Sequence, residues 1–505
     1  MKSISNLLLF GLALIIFSSC QHNRLKTNEK ELAKEIRTQE KKKKEVERTS
    51  LEEQKNDTLA NLPAGFRFKE DRSVDPAHPP IVIDLSGEIP EREIKLSDIS
   101  SKIKYVVLEV PDDSVFFYRG SALHFAGDNI IANNNMGINH FSADGRFLET
   151  ISKSSFNGPR TTNDFTDGSF RGTYFNNVYT AGTTLFYKYS DTPDEKVSLV
   201  KFSLRDKPSL ISIQPEEGEP YTYAKGEVID MGKIRSPGLG STNIFAVSDN
   251  MYAGMPPNLP DAFGKNSILM VTFNTNGDTL CKYLQHDLLE NPVTSTLIRS
   301  FSNLSWFYGE VATFKWLFND TVYRLKGPNR LVPAFIFKLG DHKITVDDWL
   351  HVNTSLNGKV LIDDILENQR YLFIDYRYYD PDNPKVPVNE KAIYIKETKE
   401  FFRIALSQEQ RKVLNTVPPP PRPGSLLPPQ INVISPGLEN DLDGGRAFWP
   451  QYVTTEGSLA TTVSPEVLLS HIQNTNYKKI ENSIFPDFVR SLKTGGKQTV
   501  IMIVE

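Results

Sequence analysis

The stretch Tyr118 to Ile151, YRGSALHFAGDNIIANNNMGINHFSADGRFLETI, constrains the fold more than any other part of the chain, because it reads as a complete four-strand antiparallel unit. Each short apolar run is followed by a turn signal. Ala122 to Phe125 leads into Gly127-Asp128-Asn129, Ile130 to Ala132 into Asn133-Asn134-Asn135, and Ile138 to Phe141 into Asp144-Gly145, after which Arg146 to Ile151 completes the set. Asp-Gly flanked by alternating apolar residues is a strong local hairpin signal, since both turn positions tolerate positive φ.

The same grammar returns further along the chain. Phe273-Asn274-Thr275-Asn276-Gly277-Asp278-Thr279-Leu280 repeats the pattern of Phe141 to Leu148: apolar strand, Asx-Gly turn, charged residue, strand. Two copies, each closing a unit, favour repeated blades over a single sandwich. Strand groups are read at Tyr174 to Tyr189, Val197 to Ile213, Ile244 to Ala253, Trp306 to Gly340 and Val360 to Ile404, with Gln214 to Tyr223 as an insertion. No strand can run through the proline-rich Thr416 to Pro429, because proline lacks the ladder donor. Toward the C-terminus the pattern predicts a helix over Pro465 to Gln473 capped by Ser464, a second helical piece over Ile484 to Leu492, and a last strand over Thr499 to Val504.

The N-terminus carries an address. Lys2 precedes an apolar run from Leu7 to Phe17, which is too short to span a bilayer yet suits a signal-peptide core. It ends in Phe17-Ser18-Ser19-Cys20, which resembles the lipobox of bacterial lipoproteins. That resemblance implies cleavage before Cys20 and acylation of its sulfur and new amino group. More than one acyl chain holds a protein stably on a membrane. Residues Gln21 to Lys26 are not acidic, unlike the surface-export tracts of Bacteroides-type lipoproteins, so a periplasm-facing outer-membrane anchor is expected. From Asn28 to Leu62 the chain is rich in Lys, Glu, Arg and Gln without sustained heptads, and reads as a solvated, partly helical tether.

Past the tether, Ile81-Val82-Ile83-Asp84-Leu85-Ser86, then Lys95 to Ile99, then Lys104 to Ser114 (KYVVLEVPDDS), is similar to the opening of the six-bladed β-propeller lipoproteins of Bacteroides-type bacteria. Phe318 to Gly340, FNDTVYRLKGPNRLVPAFIFKLG, carries the same resemblance. It implies an all-β, six-bladed propeller with a signal at 1–19, a lipidated charged tether at 20–80, and a propeller domain with a little C-terminal helix at 81–505. The last blade of such a ring would join the region after Ile81 to the region before Glu505, which removes exposed sheet edges.

Composition narrows the function. A net charge of −4 is too small to drive the chain onto nucleic acid. With Cys20 lipidated, Cys281 has no disulfide partner and reads as a small core residue in a strand-like run. No Gly-x-Ser-x-Gly elbow, His-Glu-x-x-His pair or phosphate-cradling glycine loop occurs. The scattered histidines His124, His140, His286, His342, His351 and His471 read as strand or surface residues, so no catalytic residue is assigned. Calcium could sit at the Asp-rich turns Asp112-Asp113, Asp341 to Asp348 or Asp441 to Gly445, but turns favour Asp and Gly for backbone reasons as well. No other cofactor is expected, and nothing specific supports a quinone-type group. Trp306 and Tyr308, on an expected inner strand, are the candidate ligand-facing residues, with packing between blades as the competing role.

The expected function is a monomeric, membrane-anchored envelope module that binds a protein, peptide or glycan without catalysis. A calcium-dependent propeller hydrolase or lactonase is the alternative. Metabolic labelling with an alkyne palmitate analogue is expected to tag the wild-type chain and to miss Cys20→Ala; label persisting in the variant contradicts the anchor.

Overall fold

In the computed structural model of the chain, the residues described are 67–108, 122–134, 137–153, 179–181, 184–190, 197–205, 210–213, 221–224, 227–230, 243–248, 250–255, 268–284, 304–316, 318–345, 348, 356–381, 388–405, 437–474, 480–481, 483–493 and 498–505. The signal, Cys20, most of the tether and the proline-rich segment lie outside them. One compact unit spans Ala64–Glu505.

The unit opens with three short strands, β1 (Ile81–Asp84), β2 (Glu91–Arg92) and β3 (Ile103–Leu108). The founding stretch then forms β4 (Ala122–Ala126), β5 (Asn129–Asn134), β6 (Gly137–Ser142) and β7 (Phe147–Lys153), paired in that order as sheet I. Sheet II follows with β8 (Tyr179–Ala181), β9 (Thr184–Ser190) and β10 (Val197–Ser203). A hairpin of β11 (Leu210–Ile213) and β12 (Tyr221–Ala224) turns back to pair with β7, and β13 (Glu227–Asp230) returns to β10. The end of the insertion read in the sequence, Tyr221 to Tyr223, therefore extends sheet I, while residues 214–220 lie outside the described residues.

Sheet III holds β14 (Asn243–Ser248), β15 (Met251–Met255), β16 (Ile268–Asn274) and β17 (Thr279–Leu284). Sheet IV holds β18 (Leu304–Tyr308), β19 (Val311–Lys315), β20 (Thr321–Gly327) and β21 (Arg330–Lys338). Sheet V holds β22 (Val360–Glu367), β23 (Tyr371–Tyr378), β24 (Val388–Ile395) and β25 (Glu400–Ile404). Sheet VI joins β26 (Tyr452–Val453), β27 (Leu459–Val463) and β28 (Thr499–Val504) to β3, which pairs antiparallel with β28 from Ile103↔Val504 to Leu108↔Thr499. The expected union of the region after Ile81 with the region before Glu505 is thus made by β3.

First strands meet first strands: β26 lies against β4, β4 against β8, β18 against β22, and β22 against β26. Apolar layers fill the spaces between successive sheets. Phe314, Trp316 and Leu325 of the sheet IV region meet Met270, Cys281 and Tyr283 of sheet III. Ile83, Phe335 and Phe337 meet Ile362, Leu372 and Ile374 of sheet V. Phe373, Ile393 and Phe402 meet Phe448, Trp449 and Leu459, while Val106 and Ile501 of sheet VI meet Ile130 and Phe141 of sheet I. A sheet covered on both faces needs near-continuous apolar strands. ILMVTFN in β16, buried from its second residue on, shows this. The unit is an all-β propeller, with two short α-helices among the described residues. Among those residues, blades built around successive stretches of chain number five, sheets I to V, against the six expected; sheet VI is assembled from both ends instead.

The helices are α1 (Pro465–Gln473) and α2 (Phe485–Ser491), inserted between β27 and β28. Ser464 caps α1 by accepting from the Val467 N–H at 3.4 Å, as its position before a proline predicts. Leu468, Phe485 and Val489 pack on Val500 and on Tyr105 and Val107 of β3.

From Phe68 to β2 the chain runs along the outer edges of sheets III, IV and V. The Phe68 N–H donates to the Leu280 carbonyl of sheet III at 2.7 Å, and Asp71 exchanges bonds with Asn329 and Leu331 of sheet IV at 2.7 and 2.9 Å. β1 pairs parallel with β21, β2 pairs parallel with β25, and the Leu96 N–H reaches the Glu439 carbonyl at 2.8 Å. The sequence reading places 67–80 in the tether; these bonds place Phe68 to Asp71 with the folded unit. The segment is a belt that occupies edges otherwise open to aggregation.

The two Asx-Gly turns share one geometry, and a third copy joins them. The N–H groups of Gly145, Gly277 and Gly457 donate to the carbonyls of Ser142, Asn274 and Thr454 at 2.9, 3.0 and 2.9 Å, and those three residues donate to Arg146, Asp278 and Ser458 at 3.0, 3.0 and 2.8 Å. Only the glycines take positive φ, at 90°, 80° and 89°; Asp144 does not. The hairpins are therefore type I turns closed by a glycine bulge, with one left-handed position where the sequence reading expected two. A Cβ on Gly145 would stand 2.1 Å from the Val107 carbonyl oxygen of β3, whereas one on Gly457 would meet nothing within 4 Å. Gly457→Ala is expected to cost about 1–2 kcal/mol through φ alone, and Gly145→Ala about 2–4 kcal/mol because overpacking adds to it. Urea unfolding followed by tryptophan fluorescence measures both; equal losses would remove the contact with Val107.

Candidate functional site

Where the belt crosses from sheet IV to sheet V it leaves the sheet surface and roofs a cleft of about 430 Å³. Its walls are Leu85 to Ile89 of the belt, Val360, Tyr376 and Tyr378, and its polar groups are Ser86, Glu88, His342, Glu390 and Arg403. The strap is held at both ends. Asp84 accepts from the Ser86 N–H at 2.9 Å and from Lys338 at 2.8 Å, the Leu85 N–H donates to the Lys338 carbonyl at 2.8 Å, and the Arg403 N–H donates to the Pro90 carbonyl at 2.9 Å. Gly340, at φ +54°, lets Ser86 come close, since a Cβ there would stand 3.0 Å from the Ser86 Cβ.

The register of sheet V explains the lining. Tyr376 and Tyr378 are two apart on β23 and so share a face, Tyr376 pairs with Glu390, and Arg403 pairs with both Ala392 and Glu91. Arg403 reaches Glu91 at 2.7 Å and Glu390 at 3.5 Å, while its Nε is buried with no hydrogen-bond partner. Burial, reinforced by the Glu390 carboxylate, raises the pKa of the Tyr376 hydroxyl, so it stays protonated and able to donate. His342 donates from Nδ1 to the Gly358 carbonyl, because a carbonyl only accepts, and this leaves its Nε2 for another partner. The face of Tyr378 meets the His342 ring edge-on at 6.2 Å. The period-2 tyrosines in YLFIDYRY could have signalled this wall. The roof could not, because a two-residue strand such as β2 leaves no pattern.

The sequence candidates Trp306 and Tyr308 lie on β18, half-buried, in a bridge between sheets IV and V. The Trp306 indole donates to Glu367 at 3.0 Å, and Arg324 and Lys396 reach the same carboxylate at 2.6 and 2.7 Å. Both cations also lie over the Tyr308 ring, at 4.2 and 4.3 Å. The Glu367 side chain is fully buried. Burial lowers the Lys396 pKa, with Glu367 opposing it. Both aromatics are thus engaged in contacts at the boundary between sheets IV and V. The same device recurs between sheets V and VI, where Asp375 accepts from the Trp449 indole at 3.2 Å and from Lys391 at 2.7 Å, with Lys391 lying 4.4 Å from the Trp449 ring centre.

Other candidates settle into local roles. In Asp441 to Gly445, Asp441 accepts from the Ser97 N–H and hydroxyl at 3.0 and 2.6 Å, and Asp443 accepts from Asn440 and the Gly445 N–H at 2.7 and 2.8 Å. Asp348 caps Thr345 and pairs with Lys359 at 3.2 Å. Among the described residues no group of three or more His, Cys, Asp or Glu is placed to hold a metal ion. Asp112-Asp113, His286 and His351 lie outside the described residues. His140 is held between Glu149 and Asn129 at 3.1 and 2.7 Å. His124 bonds Asn133 at 3.0 Å, and burial pushes its pKa down to about 4, which keeps it neutral at physiological pH. His471 bonds the Gly444 carbonyl at 3.0 Å. Cys281 is buried and its thiol is pushed up to about 11, so it is inert core.

Glu367→Gln keeps the shape of the bridge but leaves two buried cations without a counter-charge. Breaking a buried pair in this way costs about 3–5 kcal/mol. The variant is expected to lose that much in urea unfolding, with a shifted Trp306 emission; a loss below about 1 kcal/mol would mean that water screens the bridge.

No helix among the described residues is long and apolar enough to cross a membrane. No curated protein matches the sequence. Among solved structures, the chain is similar to a Bacteroides fragilis protein classed as exported, at 12% identity over 84% of this chain and 99% of that one, with a TM-score of 0.47. It is also similar to a member of the DUF4221 family from Bacteroides vulgatus (8% identity, 60% and 86% covered, TM-score 0.31) and to virginiamycin B lyase from Staphylococcus aureus (10%, 61% and 77%, 0.29). Residues 63–474 match a family whose description is a domain of unknown function, so the chain belongs to the DUF4933 family.

Proposed function

We propose that this protein is a cell-envelope binding or scaffold module without catalysis, held to the outer membrane, periplasm side, by lipid at Cys20, and working as a monomer on a protein, peptide or glycan. The observation that carries the reading is the cleft of about 430 Å³ between strap and sheet V, which combines apolar walls, two tyrosines and a few polar groups in the size range of small-molecule sites, ~300–1,000 Å³. The buried ionisable groups support it from the other side. Glu367 and Asp375, both of sheet V, each bind an indole from outside that sheet as well as a lysine beside them, which spends them on rigidity. Sheet VI serves, in this reading, as the sixth blade that closes the ring; a crystal structure with a gap between β26 and β4 would remove it. Trp306 and Tyr308 then act as supports behind the binding surface.

The full-length chain in a phosphocholine detergent, mixed with envelope extract separated into protein, peptide and glycan pools, is expected to rise in melting temperature with one pool and to lose that rise in Tyr378→Ala. Calcium-stimulated hydrolysis of an aryl ester or a lactone, many-fold above the calcium-free rate, would overturn the non-catalytic reading.

A further inference from the structure

We infer that the cleft under the strap takes a short, neutral saccharide, an inference that rests on the binding reading above and names its ligand class. Three observations exclude the alternatives in turn. Arg403 is the one lysine or arginine among the described lining residues, and it already faces Glu91 and Glu390, with Glu88 nearby in the wall. Carboxylates therefore outnumber the guanidinium, and a phosphate, carboxylate or uronate entering the cleft meets net negative charge, which costs affinity.

An extended peptide most often docks by adding a strand to an open sheet edge. The edges of sheets IV and V beside this cleft are covered by β1 and β2, which are themselves outermost but only four and two residues long. So short a ladder offers an extended peptide few main-chain bonds. A ligand in the cleft is therefore bound mainly by side chains.

Those side chains call for hydroxyl groups. The Arg403 side chain, about 35% exposed, offers guanidinium N–H donors. A carboxylate such as Glu390 accepts several bonds, the Tyr376 hydroxyl is protonated, and His342, which donates from Nδ1 to the Gly358 carbonyl, has Nε2 left for a ligand. A ligand matching this set must donate and accept through closely spaced groups, as neighbouring hydroxyls on a sugar ring do. The rings of Tyr376 and Tyr378 and the aliphatic strap residues Leu85 and Ile89 supply apolar faces for the C–H surface of such a ring.

Saturation-transfer NMR on the full-length chain in phosphocholine detergent tests the inference, with maltotriose, cellotriose and N,N′-diacetylchitobiose as neutral probes, digalacturonate as the acidic probe and tetra-alanine as the peptide probe. At least one neutral saccharide is expected to show transfer and digalacturonate little. Arg403→Lys keeps the charge but not the fixed fork of guanidinium donors, and is expected to weaken binding about tenfold or more; Tyr378→Ala should do the same with only a small change in melting temperature. Transfer from digalacturonate equal to that from the neutral sugars overturns the inference, as does neutral-sugar binding that survives both variants. If tetra-alanine alone binds and Tyr378→Ala abolishes it, the saccharide falls and the binding reading stands. Silence from every probe sinks the saccharide.

Discussion

Backbone pairing by the belt is the constraint on which the rest of this propeller depends. Each sheet buries two faces but has one outer edge, and an outer edge is a row of unmatched N–H and C=O groups. The belt answers this at sheets III, IV and V by bonds to Leu280, β21 and β25, then becomes the outer strand of sheet VI. Partners along it are hundreds of residues apart, as with Ser97 and Asp441 or Lys102 and Glu505. Pairing of that separation forms late, because loop closure is costly until other contacts reward it. Sheets I to V can each condense locally; sheet VI cannot, since β3 must await β28.

Apolar layers supply most of the cohesion between sheets, yet they do not fix angle or register by themselves. The two tryptophan bridges do. In each, a carboxylate of sheet V accepts from an indole outside that sheet and from a lysine on or next to β24, and the lysine lies against an aromatic ring. Replaced by well-packed apolar groups, such a bridge need not lose stability, because desolvation offsets much of the attraction. Its directional bonds admit one arrangement of neighbouring sheets, and that is the property a preformed cleft at the same boundary requires.

Much of the fold was legible in the sequence because its signals are local. The founding four-strand unit, the Ser464 cap, both helices and the last strand sit where apolar periodicity and turn residues put them. Three features were not legible, for one physical reason in different forms. The turn type was misread because Asp-Gly fits both a two-residue turn and a type I turn with a glycine bulge, and the choice lies in strand register. The third copy, Thr454 to Ser458, was missed because Thr455 and Glu456 carry no turn signal; only Gly457 does. The partner of Trp306 is Glu367, on another sheet, so sequence could offer an aromatic on an inner strand but not what it touches. The cleft is the extreme case: Tyr376 and Tyr378 could be placed on one face, but its roof, Leu85 to Ile89, comes from the end of the entry strand and the stretch after it, which carry no sign of a partner on sheet V.

Because the roof of the cleft is the belt, occupancy of the cleft and closure of the belt share free energy. A ligand that touches both strap and sheet V binds only when the strap is down, and at a concentration of 100 times Kd it adds about 2.7 kcal/mol to the closed state. Domains of ordinary stability have about 5–15 kcal/mol in total, so this is a modest addition to the whole unit. It is a large one for a strap fastened, between β1 and β2, by the few bonds around Asp84, Leu85 and Pro90. Opening of the strap, which is local, therefore responds to ligand before global unfolding does. The edge pairing that protects sheets IV and V from other chains thus also sets how firmly the cleft can hold what enters it.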